Sequence, residues 1–188
     1  EPFSALDATL RWEMEQVVRA TISDFSGTTL LVTHNRDEVY RLSDKVAVYN
    51  RGRIDTFGDK WALFTDPKTA VSARLTGCKN LSPAHREGDR IVADHWHISL
   101  PLLQEGNWPW LGIRAHRFQL CAADAPNSFP YEVVNRIEDT FSIILQIKLR
   151  DDPTAEPMRW EVEKVQNLTI PDTGYVSVPD SEILLLQG

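Results

Sequence analysis

The unbroken apolar run at Leu30, Leu31 and Val32 is the most informative hydrophobic pattern in the chain. It follows a glycine and ends at polar residues, which is typical of a strand that is covered on both faces of a parallel sheet. His34 lies just beyond the carboxyl end of this run, where ligands bind in open α/β sheets. The pattern therefore predicts a buried strand that places a histidine at a candidate site.

A short helix and a β-hairpin are predicted after this histidine. Asn35 is a suitable N-cap, acidic residues fill the first helical turn, and the apolar positions that follow lie on one side. The apolar run over residues 46–49 indicates a strand. Residues 50–53 supply a turn, so that residues 54–57 can return as its antiparallel partner.

Three more helices are predicted around this segment. The first spans residues 8–24 behind Asp7 as its N-cap, because apolar residues recur there at helical intervals. Asp59 is a suitable cap for a second, short helix, and the Asp-Pro pair at 66–67 is expected to open a third that Gly77 closes. The apolar positions of the first helix are Leu10, Met14, Val17, Val18 and Ile22.

The texture of the chain changes at Cys78, after which short strands alternate with Gly, Pro, Asn and Asp. No long helical period competes with them, so residues 78–188 are expected to form an all-β, OB-like barrel domain. Residues 138–140 are a plausible turn between the two strongest strands. The predicted strands span residues 90–93, 97–102, 111–114, 132–137, 141–149, 159–165, 175–178 and 183–186.

Composition and charge narrow the range of partners. The 188 residues are 42% apolar and 25% charged, as in an ordinary globular protein. A net charge of −7 without a dense basic run makes nucleic acid an unexpected partner. Cys78 and Cys121 fit neither a metal site nor a disulfide framework, which favours a reducing compartment. No window approaches the ~18 apolar residues of a membrane span.

Two motifs resemble the ATPase domain of ABC transporters. Residues 33–50 are similar to the segment around the histidine switch, in which a Thr-His pair ends a strand and an acidic helix, Ser-Asp and an apolar strand follow. Residues 1–7, Glu-Pro-Phe-Ser-Ala-Leu-Asp, resemble the end of the Walker B strand and the D-loop. Both motifs occur in the family's order, separated by one helix and one strand. The resemblance covers residues 1 to about 76.

The resemblance implies roles for four residues. Glu1 would be the carboxylate that orients or deprotonates the attacking water, and His34 would contact the γ-phosphate of ATP, which the family binds with Mg²⁺. Ser4 and Asp7 would belong to the D-loop, which communicates with the nucleotide site of a second copy. Without that family context, Glu1 is a charged chain terminus, His34 caps a strand end, and Asp7 is a local helix cap.

The second half of the chain resembles the regulatory domain of importer ATPases. Gly-Ile-Arg at 112–114 is similar to a strand of that domain, and Thr-Gly-Cys-Lys-Asn-Leu at 76–81 resembles the molybdate and sulfate branch. The resemblance implies an α/β C-terminal part of an ABC ATPase (P-loop NTPase) domain over residues 1–77 and a regulatory domain over residues 78–188. It implies permease subunits, a second copy and, indirectly, a solute-binding protein as partners, with a peripheral location on the cytoplasmic membrane face.

Other candidate sites have plainer alternatives. Arg114 and Arg117 suit an oxyanion such as molybdate, tungstate or sulfate, although solvated surface arginines are the simpler interpretation. His95 and His97 share a face if they lie on a strand, with His85 or His116 as a third ligand, but no cysteine or carboxylate accompanies them at ligand spacing, so no metal is expected. The tryptophans at 108 and 110 suit stacking on a base or sugar, or simple packing.

The phosphate-binding motif Gly-x-x-x-x-Gly-Lys-[Ser/Thr], the glutamine loop and the Ser-Gly-Gly-Gln signature do not occur in these 188 residues. We therefore expect a fragment of a longer protein that by itself neither binds ATP tightly nor hydrolyses it. Two alternatives remain open. One is the same ATPase class serving a sugar, a polyamine or iron, and the other is a non-catalytic OB-like interaction module.

Overall fold

The structure, a computed structural model, describes residues 1–150, 152–165 and 169–188. It divides into two compact units, Glu1–Thr65 and Asp66–Gly188, each considered by itself below. The boundary between the units lies after Thr65, not after residue 77 as expected, because the helix at Ala70–Leu75 belongs to the second unit. There the Ala70 N–H donates to the carbonyl of Gln187 at 2.9 Å, and Thr69 forms a parallel bridge with Gln187.

The first unit contains three helices and one hairpin. Its elements are α1 (Ala8–Asp24), α2 (Arg36–Leu42), β1 (Lys45–Asn50), β2 (Arg53–Asp59) and α3 (Lys60–Thr65). The three predicted caps are confirmed. Asp7 accepts from two backbone N–H groups of α1, Asn35 from two of α2, and Asp59 from Trp61 and Ala62 of α3.

The turn of the hairpin is as predicted. Arg51 and Gly52 have φ values of 48° and 78°, so both central residues are left-handed, as in the two-residue turns that match the twist of paired strands. β1 and β2 pair antiparallel from Lys45 with Asp59 to Asn50 with Arg53, with a bulge at Val48 and Tyr49.

The predicted strand at Leu30, Leu31 and Val32 is wrong for this structure. The segment is not assigned to a strand, and Leu30 and Val32 are 87% and 67% exposed. A strand exists only when neighbouring strands accept and donate its backbone hydrogen bonds. Among the described residues, none pairs with this segment.

Helix α1 is present, but three of its five predicted apolar positions are exposed and its most buried residue is a glutamate. Leu10, Met14 and Val17 are between 38% and 57% exposed, whereas Glu15 is 1% exposed. The contact with α2 is polar, because both carboxylate oxygens of Glu15 bind Arg41, at 2.6 and 2.9 Å.

The second unit consists of a short helix and two antiparallel sheets of five strands. One sheet has the order β12-β6-β3-β4-β5, and the other has the order β10-β9-β8-β11-β7. The elements are α4 (Ala70–Leu75), β3 (Asn80–Glu87), β4 (Arg90–Ala93), β5 (Ile98–Pro101), β6 (Trp110–Ile113), β7 (Gln119–Cys121), β8 (Ser128–Glu138), β9 (Ser142–Leu149), β10 (Met158–Glu163), β11 (Thr173–Ser177) and β12 (Ile183–Leu186), with 3₁₀ turns at Ala115–Arg117 and Asp180–Glu182.

One hydrophobic core lies between these two sheets. Ile91, Leu100 and Leu111 contribute to it from one sheet, and Tyr131 and Leu145 contribute from the other. The OB-like barrel is not confirmed, since the described strands form two open sheets, each with two edge strands. The unit therefore has the layers of a sandwich, in which inward side chains of both sheets share a core.

Many of the local predictions in the second unit hold, and others do not. The turn after β8 is confirmed by the Asp139 N–H, which donates to the carbonyl of Ser142 at 2.9 Å. Strands β3 and β7 were not predicted. Helix α4 begins after Thr69, whose hydroxyl accepts from the Ser72 N–H, rather than at the Asp-Pro pair, and Gly77 ends it with a φ of 98°.

Among the described residues, no helix combines the length and the apolar character that crossing a membrane requires.

Candidate active site

Glu1 and His34 contact each other in the first unit, although 33 positions separate them in the chain. Nδ1 of His34 donates to Oε1 of Glu1 over 2.7 Å. The side chains are 48% exposed for Glu1 and 74% exposed for His34, so the pair lies at the surface of the unit. The structure therefore brings together the two residues to which the sequence assigned catalytic roles.

The hydrogen bond from His34 holds the pKa of the Glu1 carboxyl below its ordinary value, with the charge of His34 as a second cause. A lowered pKa keeps the carboxylate ionised and available as an acceptor. Because Nδ1 is engaged by Glu1, Nε2 is the ring nitrogen left for a further partner.

A tight turn connects Glu1 to helix α1. The hydroxyl of Ser4 donates to the carbonyl of Glu1 at 3.2 Å, and the Leu6 N–H donates to the carbonyl of Phe3 at 3.1 Å. Phe3 is 2% exposed and anchors the turn in the unit. Asp7 then caps α1, accepting the N–H groups of Thr9 and Leu10. Ser4 thus contacts only the backbone of Glu1, and Asp7 caps α1, so neither has a described contact with the Glu1 carboxylate or the His34 imidazole.

Two buried glutamates of the first unit were not singled out by sequence reasoning as site residues. Glu38 and Glu15 are 3% and 1% exposed, and each faces an arginine of the neighbouring helix. Glu38 appeared only as a negative charge in the first turn of α2. The sequence signal that could have indicated Glu38 is its spacing from Thr33, since the two residues lie on either side of the helix cap Asn35.

The structure places the two arginines proposed for an oxyanion beside protein partners. Nη1 of Arg114 donates to the carbonyl of Thr76 at 3.0 Å, and Nε of Arg117 lies 3.2 Å from Oε2 of Glu182. Burial lowers the pKa of neighbouring His116, and the positive charges of the two arginines lower it further. The region is therefore electropositive, but a carboxylate already faces one of its two guanidinium groups.

Three histidines of the second unit, His85, His95 and His97, pair with carboxylates. His95 and His97 lie in the turn between β4 and β5 rather than on a strand, so the expected shared face does not exist. His97 Nδ1 is 2.7 Å from Oδ2 of Asp152, and His85 Nδ1 is 2.6 Å from Oδ1 of Asp94. Asp94 is accordingly the main cause of a raised pKa at His85. The described part of the chain contains no group of three metal-ligating side chains.

The tryptophans at 108 and 110 pack against apolar clusters. Trp108 is partly buried against the core between the sheets, and Trp110 packs against a smaller cluster formed by Ala73, Cys78 and Leu186. Their packing agrees with the plainer interpretation.

No protein-family profile matches the chain, but curated relatives do. It is 30% identical over 131 residues to the "Fe(3+) ions import ATP-binding protein FbpC" of Mannheimia succiniciproducens, covering 68% of this chain and 37% of that protein. It is 32% identical over 141 residues to the "Sulfate/thiosulfate import ATP-binding protein CysA 1" of Shewanella oneidensis, covering 71% of this chain and 36% of the relative.

A third relative, the "Sulfate/thiosulfate import ATP-binding protein CysA" of Caulobacter vibrioides, is 32% identical over 120 residues and is covered to 35%. The chain thus spans about a third of the length of the curated relatives it matches. Both the residues at the site and these similarities lead to one conclusion, that the chain is related to the ATP-binding subunits of ABC importers.

Proposed function

We propose that the chain is part of the ATP-hydrolysing subunit of an ABC importer and that Glu1 and His34 act at its hydrolytic site. The observation that carries the proposal is the 2.7 Å hydrogen bond between two side chains that the motifs had separately singled out. The relatedness to import ATP-binding proteins supports the same activity.

The chemistry follows from the two side chains. An ionised Glu1 carboxylate can accept a proton or hydrogen bond from a water molecule, and its lowered pKa keeps it ionised at neutral pH. His34 fixes the orientation of that carboxylate through Nδ1. Its Nε2 can accept a hydrogen bond from a water when the ring is neutral, or donate to an anionic oxygen when the ring is protonated. Phosphoryl transfer depends chiefly on such positioning and on electrostatic stabilisation.

ATP and Mg²⁺ are the substrate and cofactor that this function requires. The residues present suit only the γ-phosphate end of ATP. A carboxylate and an imidazole suit the γ-phosphate and the attacking water, whereas no phosphate-binding Gly-Lys loop occurs in the 188 residues. ATP supplies the phosphoryl group when bound, and Mg²⁺ offsets its charge. The chain by itself is therefore expected to bind ATP weakly at best.

The wider assembly is part of the same proposal. Residues 1–77 would be the C-terminal portion of the ATPase domain and residues 78–188 a regulatory β domain. The full protein would pair with a second copy through the turn that holds Ser4 and Asp7. It would drive permease subunits from the cytoplasmic face of the membrane, with a solute-binding protein supplying the solute.

For the transported solute, we propose an oxyanion of the sulfate, molybdate or tungstate class. The Thr-Gly-Cys-Lys-Asn-Leu sequence at 76–81 supports it, as do the two sulfate/thiosulfate relatives. A second candidate is Fe³⁺, which is favoured by a specific observation: an iron importer matches at 30% identity over a similar length. Calorimetric titration of the chain with molybdate, tungstate and sulfate, with phosphate as the control anion, tests whether the β domain senses the oxyanion.

The ATPase proposal is tested by kinetics of the full-length protein. Glu1→Gln removes the charged acceptor but keeps the size of the side chain, and kcat should fall by about 10²- to 10⁴-fold, the usual range for loss of a general base. Arg36→Gln, on the exposed start of α2, is a matched control that should leave kcat unchanged. An unchanged kcat in Glu1→Gln would contradict the proposal, and micromolar ATP binding by the 188-residue chain would contradict the role assigned to the missing loop.

A further inference from the structure

Glu38 is a nearly inaccessible carboxylate that lies one helical turn beyond His34 and takes no part in the proposed chemistry. It is 3% exposed, in a unit where few apolar side chains are as deeply buried. Burying a carboxylate is costly unless it is paired and hydrogen-bonded. Its two oxygens therefore point to partners that matter for the fold or for the site.

The first partner ties Glu38 to the loop that carries His34. The hydroxyl of Thr33 donates to Oε2 of Glu38 over 2.6 Å. The same hydroxyl accepts the backbone N–H of Asn35 at 3.0 Å. Thr33 is thus bound to the buried carboxylate directly and Asn35 through the Thr33 hydroxyl, which leaves the backbone of His34 little freedom to move.

The second partner ties Glu38 to the turn that carries Glu1. Nε of Arg11 lies 3.9 Å from Oε1 of Glu38, is buried, and makes no hydrogen bond among the described residues. The other end of this guanidinium donates from Nη2 to the carbonyl of Leu6 at 3.0 Å. Leu6 belongs to the turn between Glu1 and helix α1. One arginine therefore faces the carboxylate and holds the turn.

We propose that Glu38 is a positioning residue that couples the loop of His34 to the turn of Glu1, through Thr33 on one side and Arg11 on the other. The coupling holds the two reactive side chains at hydrogen-bond distance. The proposal rests on the proposed function, which takes Glu1 and His34 to be the hydrolytic pair, and it adds the reason why two exposed side chains stay together.

The chain offers a matched control for this role. Glu15 is as deeply buried as Glu38, and it also joins α1 to α2 through an arginine, Arg41, with hydrogen bonds of 2.6 and 2.9 Å. Its described partners include neither the loop of His34 nor the turn of Glu1. Loss of Glu15 should loosen the packing of the two helices without acting on the site specifically.

The experiment is a ¹³C NMR titration of the Glu1 side-chain carboxyl in the 188-residue chain. A hydrogen bond from His34 is the largest cause of the lowered pKa of Glu1, so displacement of His34 returns that pKa upward. Thr33→Val keeps the shape of the side chain but removes the hydroxyl, and it should raise the Glu1 pKa. Thr33→Ser restores the hydroxyl and should restore the lowered pKa.

Glu38→Ala should raise the Glu1 pKa as Thr33→Val does, and Glu15→Ala should leave it lowered. An unchanged Glu1 pKa in Thr33→Val, or an equal rise in Glu15→Ala, would overturn the proposal, because the site would then respond to general loosening or not at all. In the full-length protein, Thr33→Val should lower kcat about 10-fold at an unchanged KM for ATP, as expected for misplacement of reacting groups.

These outcomes separate this proposal from the function on which it rests. If Glu1→Gln abolishes turnover but Thr33→Val does not change it, the hydrolytic pair stands and the positioning role of Glu38 is lost. If Glu1→Gln leaves turnover intact, the hydrolytic role itself is wrong, whatever the titration shows.

Discussion

Cys78 is 1% exposed, and burial raises the pKa of its thiol to about 11, with Arg114 as the largest opposing influence. Only the thiolate reacts with alkylating agents, and at pH 8 a thiol with such a pKa is ionised to roughly one part in a thousand. Its Sγ also donates to the carbonyl of Asn80 at 3.2 Å. The chemistry of this cysteine is therefore suppressed by its surroundings.

We predict that iodoacetamide at pH 8 modifies the partly exposed Cys121 at least about 10-fold faster than Cys78, since reaction follows thiolate fraction and access. Peptide mass spectrometry over time measures both rates in one sample. Denaturant should remove the difference. Equal native rates would contradict the burial of Cys78.

Asn80 joins the two sheets of the second unit by hydrogen bonds. Its amide donates to the carbonyls of Ile113 and Arg159 at 3.0 and 2.8 Å, and its side-chain oxygen accepts the Arg159 N–H at 2.6 Å. Asn80 is only 4% exposed, so water cannot replace these hydrogen bonds. Backbone groups of β6 and β10 depend on it.

We predict that Asn80→Ala lowers the free energy of unfolding of the second unit by about 3 kcal/mol, because buried backbone donors and acceptors lose their partners. Urea denaturation followed by tryptophan fluorescence measures the change. Asn107→Ala, at an exposed position, should change the stability by less than about 0.5 kcal/mol. Similar effects of both substitutions would argue against the bridging role.

At the scale of elements, the β1–β2 hairpin depends on a turn that only certain residues adopt easily. Gly52 has a φ of 78°, and a Cβ at that position would meet nothing within 4 Å, so the cost of a side chain there is purely conformational. Gly58 in β2 also has free space for a Cβ, but it does not have a left-handed φ. The two glycines therefore separate backbone strain from steric contact.

We predict that Gly52→Ala destabilises the hairpin by about 1 kcal/mol, the cost of the left-handed region for an L-residue. Gly58→Ala should have a much smaller effect. Hydrogen exchange of the ladder amides between Lys45 and Asp59 reports the difference directly. If Gly58→Ala proved the more damaging change, strain at the turn would not be what limits the hairpin.

At the scale of the molecule, the two units differ in how much core they contain. Only Phe3, Val48 and Leu63 are buried apolar side chains in the described first unit, whereas the second unit has a continuous core between two sheets. Burial of apolar surface is the main favourable contribution to folding, at about 25 cal/mol per Å². The second unit therefore has the means to fold independently.

We predict that residues 66–188, expressed alone, give a dispersed NMR spectrum and a single cooperative urea transition, while residues 1–65 exchange their amides faster in the 188-residue chain. Leu145→Ala, at a fully buried position, should lower stability by about 3 kcal/mol in the isolated unit and in the 188-residue chain alike. A collapsed spectrum of residues 66–188 would show that the core is insufficient by itself.

Features that depend on a few neighbouring residues could be predicted from the sequence. The caps at Asp7, Asn35 and Asp59 bind N–H groups two or three positions away, and the turn at Arg51 and Gly52 is set by local φ preferences. Most strands of the second unit followed from short apolar runs between turn residues. The same reading missed β3, which contains Pro83, and β7, which has only three residues.

The resemblance of two motifs implied roles for Glu1 and His34 at one site, but the contact between their side chains was not predicted, since nothing local joins them. The buried carboxylates of Glu15 and Glu38, by contrast, could not be found from the pattern. A glutamate on a helix is ordinarily solvated, and Glu15 is buried because Arg41, 26 positions away, meets it. Sequence thus determined the local elements and the candidate pair, while the tertiary structure decided which charges are buried.

The segment at Leu30 to Val32 also shows the difference between local sequence preference and tertiary structure. Its apolar run predicts a buried strand, but a strand is defined by the neighbours that share its hydrogen bonds, and in this structure the described residues supply none. The local preference for helix, strand or turn depends on the residues of the segment itself. Burial, pairing and the position of the site depend on which distant groups are present to meet them, which only the folded chain determines.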